Sequence, residues 1–291
     1  MEIYLYKDII DKANVEYSKL KKKLLIIGLV GSGIIILLVL VLLILSLKGY
    51  IGKDAFLCGL IVLPFLFVIY YIVFYSYKKN KFIYNELDKL IISILRLETD
   101  YDFSKKYDKN GYIAKIYDTR IARHSDEITL KSAFTFASES IKGDLFFLTI
   151  SRRNQKSSSV ILNGIVVSLA LESNLDFQIR TDKNVPLGMK KIKDISTDSY
   201  TIFTDKTINP KDNINLNVIN SLDWLKQNFD SKNVGIDFNK NIVSFYVSES
   251  DIFKMPHKLT SSIVEEICKS YLSYLRKTEL FAEELEKQLK D

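Results

Sequence analysis

Two long apolar runs near the start of the chain restrict its architecture more than any other feature. No charged side chain occurs from Leu24 to Leu47 or from Ala55 to Tyr77. At about 1.5 Å of rise per residue, each run forms a helix of roughly 35 Å, which spans a hydrocarbon core of about 30 Å. A buried core helix is the alternative interpretation, but such helices are usually shorter and amphipathic. We therefore predict a transmembrane hairpin over residues 24–77, with spans 24–47 and 55–77.

The distribution of lysines predicts the orientation of this hairpin. The connection "SLKGYIGKDAF" (Ser46–Phe56) holds two lysines, whereas the segments that flank the two runs are richer in lysine. Because positive charge favours the cytoplasmic side, we predict a two-span protein of the cell membrane with both termini in the cytoplasm. A cleavable signal peptide is not favoured, since the first run is too long and follows a segment that contains four acids.

The cysteines and the net charge agree with a cytoplasmic domain. Cys58 lies within the second apolar run and Cys268 lies late in the chain, so no disulfide framework is predicted. The formal net charge of +6 suits a protein that faces an anionic inner leaflet, although such lysines can also serve only to set topology.

Apolar residues at helical spacing continue on both sides of the hairpin. Residues 1–23 predict an amphipathic cytoplasmic helix and residues 78–98 a stalk helix, which leave the membrane side by side because the spans are antiparallel neighbours. The alternative is that the first 20 residues lie flat on the lipid surface.

The remainder predicts an α+β protein with a mixed α/β cytoplasmic domain over residues 99–258 that contains antiparallel hairpins. Runs rich in β-branched and aromatic residues predict strands at Asp144–Ile150, Ser159–Leu171 and Asp176–Thr181, and Val234–Val247 reads as a hairpin. Asn163-Gly164 indicates a further turn or a bulge. Asn209 indicates the start of a helix, and residues 259–291 predict a C-terminal helix that packs on the stalk or on the domain.

The motifs of known chemistry are largely missing from the sequence. "GLVGSG" (Gly28–Gly33) lies within an apolar helix and lacks the lysine of a phosphate-binding loop. Gly28 and Ser32 are four residues apart, which indicates close helix packing rather than a ligand site. No nucleophile elbow, dinucleotide fingerprint or kinase motif occurs. We predict no catalytic residue and no cofactor.

The two histidines are weak candidates for chemistry. His124 precedes Asp126 and Glu127, which permits an acid/base role, but a solvated surface histidine is the simpler interpretation. No Cys, Asp or Glu lies at the spacing of metal ligands around both His124 and His257, so no metal site is predicted.

Two basic clusters are the remaining candidates for binding. One, in a predicted hairpin loop, contains Arg152 and Arg153; the other contains Lys190, Lys191 and Lys193. Both could form a lipid-facing patch, and ordinary solvated loops are the alternative. Nucleic acid is not a predicted partner, because no aromatic side chains alternate with the cations to form a stacking surface.

The order of these segments resembles a bacterial family of membrane proteins catalogued as domain of unknown function 3137. The resemblance extends over Lys21–Pro256 and includes a Lys142-Gly143 pair before an apolar strand. It also includes an Asp-bearing turn into a helix at Tyr200–Asp212 and an element at Ile252–Lys254 after a late hairpin. Lys254 stands where the family has an acid. The resemblance implies the architecture and no catalytic residues.

We expect a membrane protein that presents a cytoplasmic domain to a protein partner, or to another copy of itself, as a scaffold or adaptor. A module that senses anionic membrane lipids is the first alternative, and a membrane-associated enzyme is the second.

Overall fold

A computed structural model describes residues 7–139, 141–154, 157–171, 173, 175–182, 189–192, 196–197, 199–204, 217–239, 241–249 and 261–290. This part of the chain is α+β, with five helices and one large antiparallel sheet. It divides into two compact units. The N-terminal unit comprises Met1–Leu90 and His257–Val264, and the sheet unit comprises Ile91–Pro256 and Glu265–Asp291.

The N-terminal unit is dominated by two long helices. Helix α1 runs over Lys7–Leu47, and helix α2 starts at Lys53 and ends at Glu98, inside the sheet unit. The most apolar 18-residue windows of Asn14–Leu47 and Phe56–Lys78 have mean hydropathies of 3.1 and 2.6, and by length and composition each segment is long and apolar enough to cross a membrane. Both helices continue beyond their apolar runs without a break. Gly49, with a φ of 74°, lies in the turn between them, in a conformation that glycine adopts without strain.

The sheet unit is built on nine strands, every neighbouring pair of which is antiparallel. Their spatial order is β1-β2-β3-β4-β9-β8-β5-β7-β6. The strands are β1 (Asp102–Ser104), β2 (Glu127–Ala137), β3 (Lys142–Asn154), β4 (Ser157–Leu169), β5 (Asp176–Arg180), β6 (Lys190–Lys191), β7 (Thr201–Thr204), β8 (Val234–Asn239) and β9 (Ile242–Ser248).

One face of the sheet is covered by α3 (Lys109–Asp118). Asp108 caps this helix, because its carboxylate accepts a hydrogen bond from the backbone N–H of Gly111 at 2.8 Å. Tyr112 and Ile116 are buried against Phe146 and other apolar side chains of the sheet. The rings of Tyr112 and Phe146 meet edge to face, with their centroids 5.9 Å apart.

The opposite face is covered by α4 (Asn217–Phe229) and α5 (Ser261–Lys290). Strand residues alternate between faces, so Phe147 points away from α3 and stacks on Tyr271 of α5 with the ring centroids 4.3 Å apart. Farther along α5, Phe281 packs against Phe245 of β9 and Trp224 of α4. The C-terminal helix thus contributes aromatic side chains to the core of the sheet unit.

The turn predicted at Asn163-Gly164 is wrong, because β4 passes through both residues as a continuous strand. Glycine is needed at position 164 because β9 lies close to it: a Cβ atom there would lie 2.0 Å from the carbonyl oxygen of Val247 on β9. A bulge, the other alternative predicted here, lies close by: the register between β3 and β4 shifts between Ile150 and Ser151, which leaves Ile161 of β4 as an extra residue. The helix start predicted at Asn209 lies outside the described residues, which show α4 from Asn217.

Candidate functional site

The two basic clusters lie far apart in the sheet. Arg152 and Arg153 are on β3, whereas Lys190 and Lys191 form β6 at the end of the sheet. Six strand spacings of about 4.8 Å separate β3 from β6, a distance of about 29 Å along the sheet. Lys193 lies outside the described residues. The sheet therefore does not bring these cations together into one patch.

Arg152 is bound to the buried carboxylate of Asp126. Its Nε and Nη2 donate to the two carboxylate oxygens at 2.9 and 3.0 Å, and the side chain of Asp126 is 0% exposed. Burial raises the pKa of Asp126, but the hydrogen bonds from Arg152 and from the backbone N–H of Arg123 outweigh it and hold the pKa below its ordinary value. Arg152 is therefore part of the folded core, whereas Arg153 is exposed to solvent.

Lys190 and Lys191 are both exposed on a strand of two residues that pairs only with β7 among the described strands. Short edge strands that carry lysine resist pairing with other chains, because an incoming strand would have to desolvate the ammonium groups. This accounts for the two lysines without a ligand and leaves them accessible to an anionic surface.

Gly28 lies where the two long helices approach each other. A Cβ atom on Gly28 would lie 2.7 Å from Cζ of Tyr71, and the Tyr71 hydroxyl donates to the carbonyl oxygen of Leu24 at 3.1 Å. Ser32 is exposed, and its hydroxyl donates to the carbonyl oxygen of Gly28 within the same helix at 2.9 Å. Gly31, three residues after Gly28, lies against the ring of Phe67.

A group of buried ion pairs that sequence reasoning missed lies on the face that α3 covers. Arg120 follows α3, and its guanidinium donates to Asp237 at 2.8 and 3.2 Å and to Asp176 at 2.7 Å. The carbonyl oxygen of Arg120 accepts hydrogen bonds from Gln178 at 3.2 Å and from Arg180 at 3.3 Å. We call Arg120, Asp176, Gln178, Arg180 and Asp237 the Arg120 hub.

The hub holds Arg120 in an unusual backbone conformation. Its φ of 55° lies in the left-handed region, which a residue with a Cβ atom adopts at a cost on the order of 1 kcal/mol. The surrounding hydrogen bonds offset that cost, because they use both the side chain and the carbonyl oxygen of Arg120. The hub thereby fixes the connection between α3 and β2 on strands β5 and β8.

Within the hub, Asp237 has an unusual acidity. Burial raises its pKa from 3.8 to about 6, against the opposing effect of Arg120, and only 2% of the residue is exposed. A carboxyl group with such a pKa suits acid/base chemistry in an open cleft. Here its oxygens accept hydrogen bonds from Arg120, so the geometry favours a structural role.

Strand alternation was the available signal for the hub. Asp176, Gln178 and Arg180 occupy alternate positions of β5 and therefore share one face, and Asp237 pairs with Gln178 in the neighbouring strand. Tyr246 continues this face: its hydroxyl donates to Asp182, and its ring lies 5.4 Å from the guanidinium carbon of Arg180.

The histidines and possible metal ligands add no reactive centre to the described residues. His124 is exposed, with its ring 4.7 Å from that of Tyr117, and His257 lies outside the described part of the chain. Within the described ranges, no three His, Cys, Asp or Glu side chains form a group that could hold a metal ion.

Comparisons with protein-family models, with curated proteins and with solved structures find no match to this chain.

Proposed function

We propose that the chain is a membrane-anchored adaptor: a two-span hairpin holds the sheet unit in the cytoplasm, where it binds a protein partner. The observation that carries the proposal is the exposed apolar surface of the two long helices. In the most apolar window of Phe56–Lys78, none of the residues is buried, and in that of Asn14–Leu47 only 11% are. A hydrocarbon environment is the solvent that such surfaces require.

The adaptor part of the proposal is supported by the use of charge in the sheet unit. The carboxylates of Asp126, Asp176 and Asp237 all accept hydrogen bonds from arginine side chains, so these acids stabilise the fold. The same unit has a nine-stranded sheet with helices packed on both faces, which gives a folded surface for recognition. The resemblance to domain of unknown function 3137 stays a prediction and adds no activity.

Native mass spectrometry of the full-length protein tests this proposal. The protein is released from its own membrane in mild detergent, and the expected result is a stoichiometric complex with a companion protein. As a control, an isotope-labelled lysate is mixed in after cell disruption, and a genuine companion carries no label. A protein that is released alone, with no companion at any detergent concentration that keeps it folded, would contradict the adaptor function.

Lipid sensing is the second candidate, and the exposure of Lys190 and Lys191 favours it. Hydrogen exchange of the full chain in nanodiscs compares neutral with anionic phospholipid. This function predicts that β6 and β7 exchange their amide hydrogens more slowly in anionic than in neutral lipid. The double variant Lys190→Gln, Lys191→Gln should lose that protection. Equal exchange in the two lipids would reject it.

An enzyme on a membrane substrate is the third hypothesis from the sequence. It requires a pocket that gathers a histidine and a carboxylate. His124 instead lies on the surface beside Tyr117, and this hypothesis has no supporting geometry in the described residues.

A further inference from the structure

Strand β4 extends beyond the strand that pairs with it on one side. β9 pairs with β4 from Gly164 to Leu169, whereas β3 pairs with it down to Ser157. Among the described strands, Ser157–Leu162 therefore has a neighbour on the β3 side alone. We call Ser157–Leu162 the β4 overhang. On the side away from β3, where none of the described strands pairs with it, the overhang offers backbone N–H and C=O groups to an incoming strand.

The β4 overhang lacks the short length and the lysines that protect the ends of the sheet, and its one irregularity is the extra residue Ile161, where the register against β3 shifts. β1 has three residues and β6 has two, and β6 consists of two exposed lysines. The overhang contains only serine, valine, isoleucine and leucine. Ser158 and Ser159 are exposed, and Val160 is 64% exposed. Leu162 is buried in the α3 core, so the overhang is held firmly at one end of its length.

We propose that the β4 overhang binds an extended acidic segment of a protein partner, which adds to the sheet as a further strand. This inference rests on the proposed adaptor function and locates its binding surface. The charge of the hairpin determines the chemistry of the partner: Ser151–Ser159 contains three cations and no acid, but Arg152 is bound to Asp126 and Lys156 lies outside the described residues. Of these cations, Arg153 is exposed and lies opposite Ser158 in the ladder.

The length of the overhang limits the size of the bound segment. Six residues at about 3.3 Å each give a strand of about 20 Å. Backbone hydrogen bonds supply affinity in this mode of recognition, and the side chains that flank the edge supply specificity. Carboxylates on the added strand would lie within reach of Arg153, which makes an acidic sequence the favourable one.

A second copy of the chain fits this edge less well than a partner segment does. If the overhangs of two copies paired antiparallel about a two-fold axis, Ser157 of one copy would lie opposite Leu162 of the other. The β3–β4 connection of the copy would then meet Asn163 and Gly164. That space is filled, because the carbonyl oxygen of Asn163 accepts from Glu249 at 2.9 Å and Gly164 pairs with Ser248. An extended segment of another protein has no β3–β4 connection and can leave the edge of the sheet at this point.

Photo-crosslinking of the full-length chain in its native host tests the proposal. A photoreactive amino acid replaces Ser159, and a control chain carries it at Leu280, which is 54% exposed on α5. The expected product at Ser159 is a single protein, crosslinked through a segment rich in Asp and Glu. Ser158→Glu should lower the yield roughly tenfold by repulsion, whereas the matched variant Ser158→Lys should retain it. Fluorescence of Trp224 confirms that each variant is folded.

The outcomes separate this inference from the proposed function. A crosslinked dimer of the chain, or equal losses with Ser158→Glu and Ser158→Lys, overturns the acidic partner strand. A companion that crosslinks at Leu280 and not at Ser159 overturns the overhang as the docking surface and leaves the adaptor function standing. Absence of any companion from crosslinking at both positions and from native mass spectrometry overturns both.

Discussion

Replacing Arg120 by methionine should lower the free energy of unfolding of the sheet unit by about 3–5 kcal/mol at neutral pH. The variant removes three hydrogen bonds to carboxylates and one, at 2.6 Å, to the carbonyl oxygen of Phe238. It leaves Asp237, which is 2% exposed, as a buried charge without its cation. Methionine keeps a Cβ atom, so the cost of the left-handed backbone is the same in both proteins and cancels.

The size of this loss should depend on pH. Without Arg120, Asp237 lowers its energy by binding a proton, and the free energy of that protonation falls as the solution becomes more acidic. The destabilisation should therefore be smaller at pH 5 than at pH 8. In the double variant Arg120→Met, Asp237→Asn, no carboxylate at residue 237 is left buried without a cation. Its loss in free energy of unfolding should therefore be smaller than the sum of the two single losses.

The single tryptophan of the chain provides the assay. Trp224 lies on α4 against Phe281, so its fluorescence reports the sheet unit in the full-length protein. Urea titrations in mild detergent give the free energy of unfolding for each variant. Arg276, which is exposed on α5, provides the matched control, and Arg276→Met should change stability by less than about 0.5 kcal/mol. Equal losses for the Arg120 and Arg276 variants would refute the role of the hub.

Further predictions address acidity, packing and topology. Because burial raises the native pKa of Asp237 to about 6 from 3.8, the native state binds more protons than the unfolded state between these values. As pH rises from about 4 to 6, the free energy of unfolding of the parent should therefore fall relative to that of Asp237→Asn, with a slope of up to about 1.4 kcal/mol per pH unit. Urea titrations at several pH values measure both proteins, and parallel pH curves would contradict this. Phe147→Ala should cost about 3–5 kcal/mol through the cavity it leaves beside Tyr271, measured by the same fluorescence. A membrane-impermeant maleimide should label Tyr50→Cys in intact cells and Ser125→Cys only after permeabilisation, and the reverse pattern would invert the proposed topology.

The helices were the most predictable part of the structure. Runs without charge define the two apolar segments from composition alone, and α1 and α2 contain them with extensions on the expected sides. Apolar spacing in the sequence predicts that the buried side of α5 includes Ile267, Tyr271 and Phe281. The structure buries Tyr271 and Phe281 but has Cys268 rather than Ile267 in the buried stripe. Sequence spacing alone does not distinguish two apolar stripes that are offset by one residue.

The pairing of the strands and the burial of the polar face that forms the hub were not predictable. The sheet joins β4 to β9, although β5 to β8 lie between them in the chain, and no local signal encodes that pairing. In β5, the alternation of polar and apolar residues is the pattern of a strand with one solvated face. The polar face is buried because Arg120 reaches it from a distant helix end, and a sequence pattern within β5 carries no information about that partner.

The pairing of β4 with β9 also governs how the chain is made. The apolar helices emerge from the ribosome first, and β1 to β4 follow as a run of local antiparallel neighbours. The two parts of the sheet join only when Ile242–Ser248 has been synthesised, since Gly164 pairs with Ser248. Until then, the whole length of β4 is an open edge on a nascent chain, which is the state most exposed to aggregation or to chaperones. Premature termination before β9 would make that transient edge permanent.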